Sequence, residues 1–127
     1  YMAASTTTGD VYILNLKNGH TNTKKGVHAG GINCLVFGKT TDTLYTSSKD
    51  GTVQAYDLTL QNSKTLINFG SLRDQKFSNS VVLGIPKKAQ AHLIDVNAND
   101  SKLILAVKKT VFCFSLEDQK FLCSYLG

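Results

Sequence analysis

Apolar and polar positions along the chain fall into short strands separated by turns. "YMAASTTTGDVYILNL" (1–16) and "TLYTSSKDGTVQAYDL" (43–58) each read as strand, tight turn, strand. Thr, Val, Tyr and Ile dominate these runs, as a pleated sheet favours. Gly9-Asp10 and Asp50-Gly51 supply the turns, with glycine taking the positive φ that a two-residue hairpin needs. "KLILAVKKTVFCFSL" (102–116) is a third such hairpin. Lys108-Lys109 stands there in place of the glycine turn, which predicts a shortened or distorted hairpin. Further strands are predicted at "GGINCLVF" (30–37), "KTLINF" (64–69), "HLIDV" (92–96) and "KFLCSYL" (120–126). No stretch sustains a helical period, so the fold class is all-β.

The second strand of each hairpin is apolar on both faces. In "VYILNL", Val11 and Ile13 oppose Tyr12, Leu14 and Leu16; in "TVFCFSL", Val111 and Cys113 oppose Phe112, Phe114 and Leu116. An antiparallel sheet with one wet face alternates more cleanly. These sheets are therefore expected to be covered on both sides, as stacked sheets are. The hairpins also repeat. Val11 and Leu16 fall under Val53 and Leu58 at an offset of 42 residues, and these fall under Val111 and Leu116 at an offset of 58. The 16 extra residues lie within "GSLRDQKFSNSVVLGIPKKAQA" (70–91). Four strands per unit of roughly 40–45 residues match the blade of a β-propeller.

The second unit carries a more specific pattern. "HAGGINCLVF", "LYTSSKDG" and "TVQAYDL" place His28, Ile32, Leu35, Phe37, Ser48, Asp50 and Gly51 in order, with Tyr56-Asp57 closing the unit. In this the chain resembles the WD-repeat β-propeller family, with Tyr56-Asp57 where Trp-Asp is usual. Leu14-Asn15 and Phe114-Ser115 hold that place in the other copies, and the sequence contains no Trp. The resemblance implies a fragment of a propeller with four-stranded antiparallel blades: a partial blade at 1–27, a full blade at 28–70, an inter-blade insertion at 71–91 and a degenerate blade at 92–127. It also implies a structural hydrogen-bond network of His28, Ser48, Asp50 and Tyr56. Histidine would bond aspartate, and the Tyr56 hydroxyl would stand where indole N–H is usual. A narrower likeness links the run-on third hairpin to WD-repeat subunits of the small-subunit processome, which binds the U3 small nucleolar RNA. The chain opens at Tyr1 and reads as a piece of something longer. An end repeat without a neighbour exposes an apolar face, so these residues alone are not expected to form a stable monomer.

Composition narrows the function classes. With 127 residues and 42% apolar content the chain suits one domain. No apolar run approaches the ~18 residues of a membrane span, and no signal peptide is recognisable. Net charge is +5, yet Arg73 is the only arginine. Phosphate and base recognition lean on the arginine fork, so the basic character reads first as solvated turn lysines. Cys34, Cys113 and Cys123 are odd in number and widely spaced, which points to reduced thiols in an intracellular protein and away from zinc.

Ser47 or Ser48, His28 and Asp50 are also the residue types of a hydrolase. "TSSKD" has no strained G-x-S-x-G elbow, so a structural role is the expectation. No catalytic residue, cofactor, metal or small-molecule substrate is expected. His20 sits near a turn, and His92 opens a strand as a degenerate counterpart of His28. Loops on a rigid scaffold carry binding. Within the insertion, Arg73, Lys76, Phe77, Lys87 and Lys88 are the candidate partner-binding residues. The functional expectation is a non-enzymatic scaffold for other proteins in a multi-subunit complex. The alternative is an RNA-associated subunit in pre-ribosome assembly. Location would be nuclear or nucleolar under that alternative, and cytoplasmic otherwise.

Overall fold

The computed structural model of the protein describes residues 1–71, 85 and 88–126. They form three antiparallel sheets, and no helix occurs among them. β1 (Met2–Ser5), β2 (Val11–Leu14) and β3 (Thr21–Lys24) make the first sheet. β4 (Ile32–Phe37), β5 (Thr43–Ser48), β6 (Thr52–Asp57) and β7 (Ser63–Asn68) make the second. β8 (Leu93–Val96), β9 (Lys102–Val107), β10 (Thr110–Ser115) and β11 (Lys120–Leu126) make the third. Each sheet is a meander in chain order. β3 was not among the expected strands. Its sequence, Thr-Asn-Thr-Lys, is polar, and it forms by pairing with β2 from Val11↔Lys24 to Leu14↔Thr21.

The sheets stack through alternation of side chains along each strand. Val11 and Ile13 of β2 meet Leu44, Tyr56 and Leu60 of the second sheet in one core. Tyr45, Val53 and Ile67, on the opposite face of that sheet, meet Ile94, Leu103, Leu105, Phe112 and Phe114 in another. Phe121 packs edge-on against both phenylalanines of β10. The middle sheet is thus covered on both faces. Among the described residues the cores cover the first and third sheets on one face each, in line with the apolar face expected of an end repeat. Their outer sides expose Met2 and Leu16 at one end of the stack, and Leu93, Ile104 and Tyr125 at the other.

The third hairpin is shortened, as expected: two residues separate β9 from β10, against three between β5 and β6. β9 and β10 pair without a shift from Lys102↔Ser115 to Val107↔Thr110. The Lys108-Lys109 turn is short but undistorted, because Lys108 itself adopts φ +54°. Between the second and third sheets, Ile85, Ala89 and Ala91 are buried in the shared core. Lys88 is exposed beside them. The other candidate partner-binding residues, Arg73, Lys76, Phe77 and Lys87, lie outside the described residues.

Candidate functional site

His28 is placed by the first sheet and read by the second. The β1–β2 turn brings Gly9 to φ +90°, and its carbonyl accepts the Val27 amide at 2.9 Å and the His28 amide at 3.4 Å. A Cβ on Gly9 would lie 2.3 Å from the His28 carbonyl oxygen, so only glycine allows this approach. Asp10 adds an acceptor for the Gly26 amide at 2.9 Å. The 26–31 loop therefore rides on the turn of the first sheet and points its imidazole, 2% exposed, at the β5–β6 turn.

There the ring meets Asp50, as the sequence suggested. His28 Nδ1 lies 2.9 Å from Asp50 Oδ2 and 2.9 Å from Thr52 Oγ1. The same carboxylate accepts the Ala29 amide at 3.1 Å, the Thr52 amide at 2.9 Å and the Thr52 hydroxyl at 2.7 Å. Burial works against the Asp50 charge, but the bonds from Thr52 and His28 outweigh it and hold the carboxyl below its usual range. A carboxylate only accepts, so a neutral His28 carries its proton on Nδ1 and leaves Nε2 as an acceptor. Thr46 Oγ1 donates to Nε2 at 2.6 Å.

Ser48 joins the network through the Asp50 main chain. Its hydroxyl donates to the Gly31 carbonyl at 2.9 Å and accepts the Asp50 amide at 3.1 Å. It closes the turn and does not touch the histidine. Thr46, two residues back on the same face of β5, takes the ring. Ser47 faces the other core, where its buried hydroxyl has no hydrogen-bond partner among the described residues.

Tyr56 reaches the network by a relay. Thr52, Gln54 and Tyr56 share one face of β6 at a spacing of two. The Tyr56 hydroxyl donates to Gln54 Oε1, and Gln54 Nε2 donates to Thr52 Oγ1 at 3.3 Å. Burial, with the Asp50 charge, pushes the Tyr56 phenol up to about 12. Lys24 of β3 lies over its ring, 5.6 Å from the centroid. The seam between the first two sheets is thus a directed chain of donors and acceptors converging on Asp50. Thr46, Thr52 and Gln54 were missed in the sequence. The alternation that pairs them with Ser48 and Tyr56 was the available signal.

A second carboxylate joins the other two sheets. Asp100, at φ +57° in the β8–β9 turn, accepts from the 39–41 loop of the second sheet. The amides of Lys39, Thr40 and Thr41 donate at 2.7, 2.9 and 2.8 Å. The hydroxyls of Thr40 and Thr41 add bonds at 3.0 and 2.8 Å. Burial opposes this charge too, and the donors again win, holding the carboxyl well below its usual range. Asp57, beside Tyr56, does local work: Asn62 and Thr59 donate to it across the β6–β7 turn and bring it to about 2.

The remaining candidates are dispersed. His20 and His92 are exposed. No group of three His, Cys, Asp or Glu that could hold a metal occurs among the described residues, and no helix there is long and apolar enough to cross a membrane. No protein-family model matches the chain, and no curated protein matches it.

Proposed function

We propose that the three sheets are blades of a WD-repeat β-propeller, and that the protein is a non-enzymatic scaffold whose loops hold other proteins in a larger assembly. The observation that carries this reading is the network converging on Asp50. Its members spend their hydrogens and lone pairs on one another at the seam of two sheets. A satisfied polar network of this kind rigidifies and specifies the packing around it, and rigid elements are what position binding loops. The order Thr46–His28–Asp50 resembles a catalytic triad, but Thr46 is fully buried, and a nucleophile must meet substrate.

The exposed turn lysines Lys25, Lys88, Lys108 and Lys109 favour a second reading. In it the protein is an RNA-associated subunit of a pre-ribosomal assembly, and these side chains meet phosphates. Chemical crosslinking of the protein within its native complex, read by mass spectrometry, separates the two. The scaffold reading expects recurrent protein crosslinks from loop lysines such as Lys39 and Lys49 that survive ribonuclease. Ribonuclease-sensitive association, with log affinity falling against log salt, supports the RNA reading. Turnover of an ester substrate by the purified protein, abolished by Thr46→Val, refutes both.

A further inference from the structure

Cys113 and Cys123 are distant in the pattern of the sequence but face each other in the fold. They are direct partners on β10 and β11. The 116–119 turn reverses the chain between them, and Leu122 is an extra residue that shifts the register next to the pair. Directly opposed residues in an antiparallel ladder have Cα atoms about 4.5–5.5 Å apart, inside the roughly 4.4–6.8 Å that a disulfide spans. The Cys123 thiol is near enough to act on the ionisation of Cys113, and both residues are half-buried. Alternation puts Cys113 on the same face as Val111 and opposite Ile104, the outer face of the third sheet. The hydroxyl of Tyr125 lies 3.5 Å from Cys123 Sγ. Cys34 belongs elsewhere: it packs at the core between the second and third sheets, with its sulfur 3.6 Å from the Ile94 carbonyl.

We propose that Cys113 and Cys123 are a dithiol modification site that hydroperoxides oxidise to a cross-strand disulfide, stapling the edge strand β11 to β10. The thiolate of one cysteine attacks a peroxide oxygen. The O–O bond breaks, a sulfenic acid forms, and the other oxygen leaves as water or an alcohol after taking a proton. The thiolate of the second cysteine then attacks the sulfenic sulfur. The S–S bond forms and the hydroxyl leaves as a second water. Two electrons pass from the sulfur pair to the peroxide, and a dithiol reductant reverses the change. Burial and the facing thiol raise Cys113 above the usual thiol range, so oxidation speeds up as pH rises.

The test treats the folded protein with hydrogen peroxide, alkylates the remaining thiols and digests with trypsin, which cleaves after Lys109 and Lys120. The expected product is the Thr110–Lys120 peptide linked to the peptide beginning at Phe121, with two hydrogens fewer, and with Cys34 alone alkylated. Dithiothreitol should restore both thiols. In 8 M urea the same link should form slower by about tenfold or more, because the ladder no longer aligns the thiols. Cys123→Ser should abolish the link and carry Cys113 on to a sulfinic acid. A link that forms equally fast in urea overturns the proposal. So does a link through Cys34, or a peroxide-treated protein in which both cysteines remain alkylatable.

Discussion

Replacing Asp100 with asparagine should destabilise the protein by about 2 kcal/mol and free the 39–41 loop from the third sheet. Asparagine is the informative change. It keeps the shape and tolerates the left-handed backbone at φ +57°, where alanine would add about 1 kcal/mol of strain. One carboxylate oxygen takes four donors, from Thr40 and Thr41, and the other takes the Lys39 amide. An asparagine can present its single oxygen to the four, but then its NH₂ faces the Lys39 amide, donor against donor. Hydrogen bonds to a charged group contribute about 1.5–3 kcal/mol net. Loss of the charge weakens those that remain, and the exposed threonine hydroxyls recover water, so the estimate sits low in that range.

Two assays read this. Urea denaturation gives the difference in stability, and hydrogen exchange at the amides of Lys39, Thr40 and Thr41 locates it. Those amides should exchange faster in Asp100→Asn, while the Ala29 amide on Asp50 stays unchanged. The pH dependence has a fixed sign. Asp100 is depressed from 3.8 in the folded state, so its contribution is present above about pH 4 and is lost as pH falls through the folded value. The gap between native protein and variant should therefore close below about pH 4. Asp50 and Asp57 titrate in the same region but are common to both proteins and cancel in the difference. A gap below about 0.5 kcal/mol, or one that stays constant to pH 2, refutes the clasp.

The Asp50 seam yields further expectations. Thr46→Val leaves His28 Nε2 buried without its donor and should cost about 2 kcal/mol in denaturant unfolding, with a change in the His28 ring nitrogen shifts by NMR. Tyr56→Phe removes only the end of the relay and should cost about 1 kcal/mol; a loss as large as that of Thr46→Val would mean that Tyr56 holds more than Gln54. Gly9→Ala drives a Cβ into the His28 carbonyl at a positive φ and should cost more than about 3 kcal/mol, with faster exchange at the Ala29 amide. Lys108→Asn suits φ +54° better than lysine and should raise stability by about 0.5 kcal/mol; an unchanged midpoint would show that the lysine carries no strain there.

What the sequence disclosed and what it hid divide along a physical line. Strands and turns were legible where local chemistry decides them: the Asp50-Gly51 hairpin, the apolar runs of β4 and β8, and the His28–Asp50 pairing beside them. β3 was hidden because Thr-Asn-Thr-Lys has no apolar face of its own and exists as a strand only through β2. The histidine's second partner, Thr46, went unread. Ser48 and Thr46 share a face, and nothing local says that Ser48 closes its own turn while Thr46 reaches across the seam. The Cys113–Cys123 register depends on a short turn followed by an extra residue at Leu122, which strand propensity does not place. The Lys108-Lys109 turn is short, as read, and stays regular because glycine is the usual supplier of positive φ, not the sole one.

Asp100 was invisible for a deeper reason, and it bears on how the sheets are held. Its donors come from residues 39–41, in another sheet and far back in the chain. Apolar cores between sheets are non-directional, so on their own they would let one sheet slide or rotate over the next. Each seam instead carries one carboxylate, in a turn of one sheet, that accepts main-chain amides from the loop entering or crossing the other. Asp50 takes Ala29 in the loop built on the first sheet, and Asp100 takes Lys39, Thr40 and Thr41. Both carboxyls are depressed against the pull of burial, which means that both clasps favour the charged form and the stacked arrangement together. The two seams should then loosen in one acid range. A protein with Asp50 and Asp100 both changed to asparagine should lose sheet-to-sheet order, read by exchange at Ala29 and Thr40, while the ladder amides within each sheet stay protected.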